Sequence, residues 1–507
     1  MPRAPLTRRE FLGATLAIAG TTRKSGMRLA GGYVHESHAV GHRLRDGQLS
    51  AMPAAIERRA LVIVGGGIAG LSAAWRLRKR GFSDFVLLEM EAEPGGNARW
   101  GSNEIAAFPW AAHYVPLPGP TATLVRELFE ELGVLRNGAF EERYLCHAPQ
   151  ERLFVHGRWQ EGLEPHVGPT ARDRDQWQRF LGRMQELAAS GEFRVPMGEP
   201  APDAPLDRLS MRAWLEKEGF DSPLVHWHVD YACRDDYGAF ARDTSAWAGV
   251  HYFTSREGGD AGPLTWPEGN GWIVARLLER VGRFVRTGAF VERIVRAGSR
   301  WRVITAQSVW ETDAVIVAAP AFVADRILPP DKSVPRVEYS PWLTANLTLE
   351  RWPANRGAPP AWDNVLFESP SLGYVIATHQ SLRTHVPRTV WTYYWPLADQ
   401  PPAAARQWLL AQSWETLATL ILDDLSRAHP DIRDCVSRLD IFRIGHAMPR
   451  PVPGFLAARH ARVAGRRRPR VFHAHSDVSG LPLFEEAQYR GVAAADAALE
   501  ALSGAAR

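Results

Sequence analysis

Ala60-Leu61-Val62-Ile63-Val64-Gly65-Gly66-Gly67-Ile68-Ala69-Gly70 is the stretch that decides the fold. Its first five residues are an unbroken apolar, β-branched run, the pattern of a strand buried on both faces of a parallel sheet. Three glycines follow at once. Leu71, Ala74, Trp75 and Leu77 then recur at helical spacing up to Lys79-Arg80-Gly81, where basic residues and a glycine suit a helix end. Gly65 permits the tight turn, Gly67 lets backbone approach a pyrophosphate, and Gly70 lets helix and strand pack closely, with the phosphates at the positive end of the helix dipole. A second strand, Phe85-Val86-Leu87-Leu88, ends at Glu89, nineteen residues beyond Gly70. An acid there accepts hydrogen bonds from ribose hydroxyls and repels a 2′-phosphate, which disfavours NADP.

The rest of the composition is that of a folded chain. Its 507 residues are long enough for about three domains, and 45% hydrophobic with 23% charged residues argues against a disordered or fibrous protein. A net charge of +4 over such a length is too thin to attract nucleic acid. Cys146, Cys233 and Cys435 are odd in number and far apart, so they predict buried thiols; neither a disulfide framework nor a metal site is read from them. At the N-terminus, Thr7-Arg8-Arg9-Glu10-Phe11-Leu12, a short apolar stretch and Ala17-Ile18-Ala19 resemble a twin-arginine export signal. The expectation is a periplasmic protein that uses the export machinery; a disordered arginine-rich start on a cytoplasmic protein is the alternative. Beyond that segment no apolar run approaches the length needed to span a bilayer.

Glu93-Pro94-Gly95-Gly96-Asn97-Ala98-Arg99-Trp100, placed after the acidic strand end, resembles the second motif of the flavin amine oxidase superfamily. That superfamily includes amine oxidases, protoporphyrinogen oxidases and carotenoid-type desaturases, all folded around FAD. Trp266 to Gly271 with the amphipathic Ile273 to Val281 is similar to its P-x-G-G helix. Gly288 to Ile294 is similar to the strand that holds the adenine, with Val291 at the contacting position. Asp313 to Pro320 resembles the returning strand. Val471 to Asp477 and Phe484 to Gly491 resemble the last strand, the acidic ribityl contact and the final helix. The resemblance runs from about residue 58 to 503. It implies FAD as cofactor, bound by Gly65, Gly67, Gly70, Glu89, Gly95, Gly96, Arg99, Val291 and Asp477; taken singly, Asp477 also fits a helix cap. On physical grounds alone, a helix from near Glu485 to Leu502 would aim its first amides at the flavin pyrimidine edge and stabilise negative charge on the reduced ring.

The expected fold is α/β: a discontinuous Rossmann-type FAD-binding domain (58–115, 265–325 and 441–505) and an α+β substrate domain of mixed sheet and helices (116–264 and 326–440). An export signal (1–25) and a linker or arm without sustained periodicity (26–57) precede them. Four positions depart from the family pattern. His475 stands where a glycine usually precedes the acid, and Arg99 is displaced from its usual place. Leu483 replaces one tyrosine of the amine-flanking pair, and Arg326 stands near the usual lysine. The candidate catalytic residues are His113, Asp235 and His446, each with an ordinary alternative: packing for the histidines, an ion pair with Arg234 for the acid. The resulting expectation is a flavoenzyme acting on a small molecule, with oxygen or another electron acceptor. C–N oxidation of an amine is placed first, C–C dehydrogenation of an isoprenoid or porphyrin-like substrate second, and a non-enzymatic flavin carrier third.

Overall fold

The computed structural model describes residues 29–255, 261–329, 335–381, 383, 385–466 and 468–504; the export segment lies outside them. Strand Ile56–Val64 pairs in parallel with Phe85–Leu88 on one side and Val309–Val317 on the other. Alternation along it divides the core. Leu61 and Ile63 pack with Leu71 and Trp75 of helix Ile68–Lys79 and with Val492 and Ala495 of helix Phe484–Ser503. Val62 and Val64 pack on the opposite face with Trp301, Val303 and Ile327. Covering both faces is what makes the run continuously apolar. Val285–Arg286, Arg300–Thr305, Val291–Ala297 and Val471–His473 complete this seven-stranded sheet.

The second sheet has eight strands, in the order Ala30–Val34, Val436–Pro449, Tyr339–Leu349, Thr389–Pro396, Gly373–Ile376, Asp363–Leu366, Glu151–Val155 and Arg158–Glu161. Parallel and antiparallel pairs are mixed within it. Helices Pro402–Ala411 and Trp414–Ser426 cover one face, Leu409, Leu417 and Ile421 meeting Leu343, Leu347 and Leu439. A separate helical cluster, Ala171–Ala189, Met211–Lys217, Pro223–Tyr237 and Ala246–Thr254, holds its own core around Phe180, Trp214 and Trp247. Local chemistry sets these starts: Thr170 and Asp173 form a capping box, and the hydroxyls of Ser210, Ser222 and Ser245 each accept a backbone amide. Helix Thr123–Leu132 stops at Gly133, which is left-handed. Among the described residues no helix is long and apolar enough to cross a membrane, and all three cysteines are free and buried.

Two expectations need correction. The described part of the linker or arm, from residue 29, is ordered: Ala30–Val34 is an edge strand of the eight-stranded sheet and His38–Arg45 is a helix. Its order comes from pairing with residues some 400 positions away (Ala30 opposite Arg438), which leaves no local periodicity to read. The boundary at 441 falls inside strand Val436–Pro449, which belongs to the substrate sheet through its length; the chain rejoins the nucleotide sheet only at Val471.

Burial pushes several imidazoles far down. His228, stacked on Trp177 at 4.3 Å, and His429, in contact with the Tyr374 hydroxyl at 2.7 Å, are both held to about 4. Both sit below the unfolded value of about 6.5, so their stability contribution is complete above pH 6.5 and is lost as pH falls toward 4. Stability against denaturant is therefore expected to fall steadily below pH 6.5, by up to roughly 1.4 kcal/mol per pH unit for each such group. The check is proton uptake on unfolding at pH 5: about two protons from this pair, against none if these rings are charged in the folded protein.

Candidate active site

A cavity of about 840 Å³ runs between the two sheets. It brings together eight of the nine proposed cofactor residues: Gly65, Gly67, Glu89, Gly95, Gly96, Arg99, Val291 and Asp477 all line it. Gly70 sits behind the wall. A Cβ on Gly70 would lie 1.9 Å from the Gly65 carbonyl oxygen, so glycine is required there to let the helix descend onto the strand end. A Cβ on Gly67 meets nothing nearer than the Gly96 Cα at 4.0 Å; it would project into open space. The first amides of helix Ile68–Lys79 lack partners within their own helix and mark this end of the cavity as an anion site.

Glu89 is buried and organises the turn. Its Oε2 accepts the Gly66 amide at 2.6 Å and its Oε1 the Glu91 amide at 2.8 Å. Burial raises its carboxyl above the usual range, with the two amides pulling the other way. Each oxygen keeps a second lone pair, enough for ribose hydroxyls. Arg99 is also buried: it donates to the Gly96 carbonyl at 3.1 Å, lies 3.6 Å from Glu91 and covers the Phe442 ring at 5.0 Å.

At the far end, Asp477 Oδ2 accepts the Ala321 amide (2.8 Å) and the Tyr339 hydroxyl. His475 Nδ1 lies 3.0 Å from Oδ1 but accepts the Asp477 amide at 3.2 Å. In the neutral ring that nitrogen has no proton to give, so Oδ1 is a buried acceptor lacking a donor. Burial alone would raise this carboxyl; the neighbouring His475 ring, the Ala321 amide and the Tyr339 hydroxyl outweigh it and hold the group below the usual range. An orphaned acceptor at one end, an open glycine cradle in the middle and a buried acid at the other fit an extended flavin dinucleotide. The N-terminus of helix Phe484–Ser503 adjoins Leu483 and Phe484, which also line the cavity.

The three catalytic candidates separate. His446 lines the cavity, stacked on Phe322 at 4.4 Å, and is lowered to about 4 by burial and by nearby Arg406, Arg326 and His42. His113 and Asp235 do not line the cavity; they lie behind Ala112 in a packed cluster with Tyr114, Tyr231, Trp362, Asp363 and Tyr394. His113 stacks on Tyr394 at 4.4 Å and faces Trp362 at 5.5 Å. Tyr114 donates to Asp235 at 3.1 Å and Tyr231 to Asp363 at 3.2 Å. Arg234 turns away from Asp235 and donates to the carbonyls of Pro370 and Ser371, the latter at 2.9 Å. Burial first, then Glu151 and Asp235, push the Asp363 carboxyl well up.

Burial holds His113 at about 4, its Nδ1 lying 3.1 Å from the Ala111 carbonyl. An alkylammonium near 10 lies about six units above, roughly 8 kcal/mol uphill for proton transfer. An imidazole held that low is a poor base toward a protonated amine. Sequence reasoning missed Tyr339, Asp363, Trp362 and Tyr394. Tyr394 continues an aromatic and β-branched run, Val390 to Tyr393, whose pattern is that of a strand, and Asp363 carries no local signal.

Residues 68–499 match the family model described as flavin containing amine oxidoreductase. The chain belongs to this family, whose members are FAD-dependent oxidoreductases. Its fold is similar to that of putrescine oxidase (TM-score 0.67, 18% identity, covering 88% of this chain and 100% of that one). It is likewise similar to cyclohexylamine oxidase from Brevibacterium oxydans IH-35A (TM-score 0.65, 18% identity, 88% and 99%). In sequence, an 80-residue stretch is 39% identical to a zeta-carotene-forming phytoene desaturase of Myxococcus xanthus, covering 16% of this chain and 14% of that protein. A 109-residue stretch is 49% identical to a Baeyer-Villiger monooxygenase of Penicillium patulum, covering 22% and 16%. The chain thus spans less than a fifth of the length of either curated relative.

Gly67 and Gly70 give opposite expectations. Gly67→Ala should fold with an unchanged melting temperature and bind FAD at least about tenfold more weakly, near 1.4 kcal/mol. Gly70→Ala should lose roughly 1–3 kcal/mol of stability through overlap. Flavin titration and thermal melts of both variants check this; full flavin binding by Gly67→Ala would contradict it.

Proposed function

We propose that the protein oxidises a C–N bond in a small amine. The observation that carries this reading is the buried cluster behind Ala112, where Asp235 and Asp363 accept from tyrosine hydroxyls beside the stacked rings of His113, Trp362 and Tyr394. FAD, when bound, supplies acceptance of a hydride at its N5. The chain's own residues bind and orient. Glu89 holds the adenosine ribose, the Gly65–Gly70 turn with Gly95, Gly96 and Arg99 the pyrophosphate, Val291 the adenine and Asp477 Oδ1 the ribityl hydroxyls. The aromatic rings of His113, Trp362 and Tyr394 exclude water from this cluster, and their faces, with the Asp235 carboxylate among them, favour a cationic group. No acid or base with a matched pKa is needed beyond this placement, in keeping with the depressed His113 and His446. The resemblance of residues 7–19 to an export signal supports a periplasmic setting with oxygen or another acceptor.

A second reading, C–C dehydrogenation of an apolar substrate, is favoured by Leu483, which lines the cavity where a cage tyrosine is absent, and by the likeness to the phytoene desaturase. Anaerobic mixing of the holoprotein with monoamines, diamines and amino acids separates the two. Bleaching of the flavin band by an amine, with kcat/KM reduced roughly thirtyfold or more in Asp235→Asn, is expected. Bleaching by isoprenoids and by no amine would overturn the first reading.

A further inference from the structure

The segment before strand Ile56–Val64 lies outside the family match, which begins at residue 68, yet it forms part of the cavity wall. His35, Ser37, His38, Gly41, His42 and Arg45 all line the cavity. Helix His38–Arg45 presents His38, Gly41, His42 and Arg45 at helical spacing, so a single face points inward.

What holds this segment down is polar. Strand Ala30–Val34 adds five residues to the sheet edge. Tyr33 donates to the Gln412 carbonyl at 2.7 Å, and Arg443 stacks over the Tyr33 ring at 3.8 Å while gripping Glu36 through two hydrogen bonds of 3.2 and 2.6 Å. The Ser37 hydroxyl donates to Glu91, the residue beside Glu89 that also neighbours Arg99. Beyond the helix, the Ser50 amide and hydroxyl donate to Glu292 at 2.8 and 2.7 Å.

Tyr33 and Val34 pack against core residues, but the helix adds little apolar burial of its own. Leu44 is the helix's one buried residue, and eight residues are too few for a helix to be stable on its own. The inward face is therefore left for something else to cover. His35 points to the same conclusion: its ring is set edge-on to Trp110 and Phe442, 5.2 Å from each, and its Nε2 is buried at the cavity wall with no hydrogen-bond partner.

We propose that Ala30–Asp46 is a cofactor-binding clasp, which closes over FAD from outside the family's common segment and slows its release. The proposal rests on the reading that the cavity holds FAD, and deepens it by assigning the cofactor a contact surface on this arm. His35 Nε2 is the group that meets the cofactor directly, and Glu36 and Ser37 are the pins.

The test compares wild-type holoprotein with Glu36→Gln/Ser37→Ala, which releases the pins without touching a core, and with His35→Phe, which keeps the aromatic packing and removes Nε2. FAD release is followed by the rise in flavin fluorescence on dilution, and amide exchange is read over residues 36–46. The expected result is release at least tenfold faster in the unpinned variant and severalfold faster in His35→Phe. Residues 41–46 should be protected in wild-type holoprotein and exchange freely once FAD is removed. Release within twofold of wild type in both variants, or equal protection of the arm with and without FAD, would overturn the clasp. Wild-type protein that takes up no FAD would instead overturn the cofactor reading itself.

Discussion

The Gly65 carbonyl oxygen lies so close to the Cα of Gly70 that a Cβ would stand 1.9 Å away, and the rest of the structure depends on that approach. It lets helix Ile68–Lys79 begin immediately at the end of strand Ile56–Val64. Its first amides then open on the cavity instead of being covered by side chains. The helix must in turn be covered on its outer side, which helix Phe484–Ser503 does through Val492 and Ala495. The C-terminal segment is thereby brought back beside the first strand, with Asp477 just before it. One backbone contact at residues 65–70 thus sets both ends of a site whose parts are more than 400 residues apart in the chain.

The two acids at the ends of the cavity are tuned in opposite directions. Glu89 is raised by burial against the pull of two backbone amides and nearby Arg99; Asp477 is lowered, with an amide and a hydroxyl on one oxygen and the His475 ring beside the other. The first arrangement favours sharing hydrogen bonds with neutral hydroxyls while bracing the glycine turn. The second keeps a charged acceptor with one unsatisfied oxygen where a polyhydroxyl chain can approach. Burial is similar at both places, so the difference comes from the partners the fold supplies.

How much of this was legible depends on how local each feature is. The glycine turn, Glu89, Gly95-Gly96 and the strand before Asp477 are short patterns whose physics is complete within a few residues, and the cavity collects them. The packed cluster behind Ala112 is different: it joins residues 113–114, 231–235, 363 and 394 from four segments, and only the first two carry a polar-aromatic density that stands out. The arm was hidden for another reason. Ala30-Gly31-Gly32-Tyr33-Val34 has two glycines in five residues, a poor strand by propensity. Yet Gly31, at φ +135°, is pressed so closely against Leu439 that a Cβ would meet the Leu439 carbonyl at 1.9 Å. A residue chosen for close approach to a distant strand looks like a linker when read alone. The boundary at 441 failed similarly, because strand Val436–Pro449, paired on both sides within the substrate sheet, runs on to the cavity wall without a break.

A crystal structure of the flavin-loaded protein tests the central claim most directly. The account predicts one FAD stretched through the cavity, its adenosine ribose within hydrogen-bonding distance of Glu89 and its ribityl chain on Asp477 Oδ1. Density for the cofactor elsewhere, or in the cavity with neither acid in contact, would contradict it.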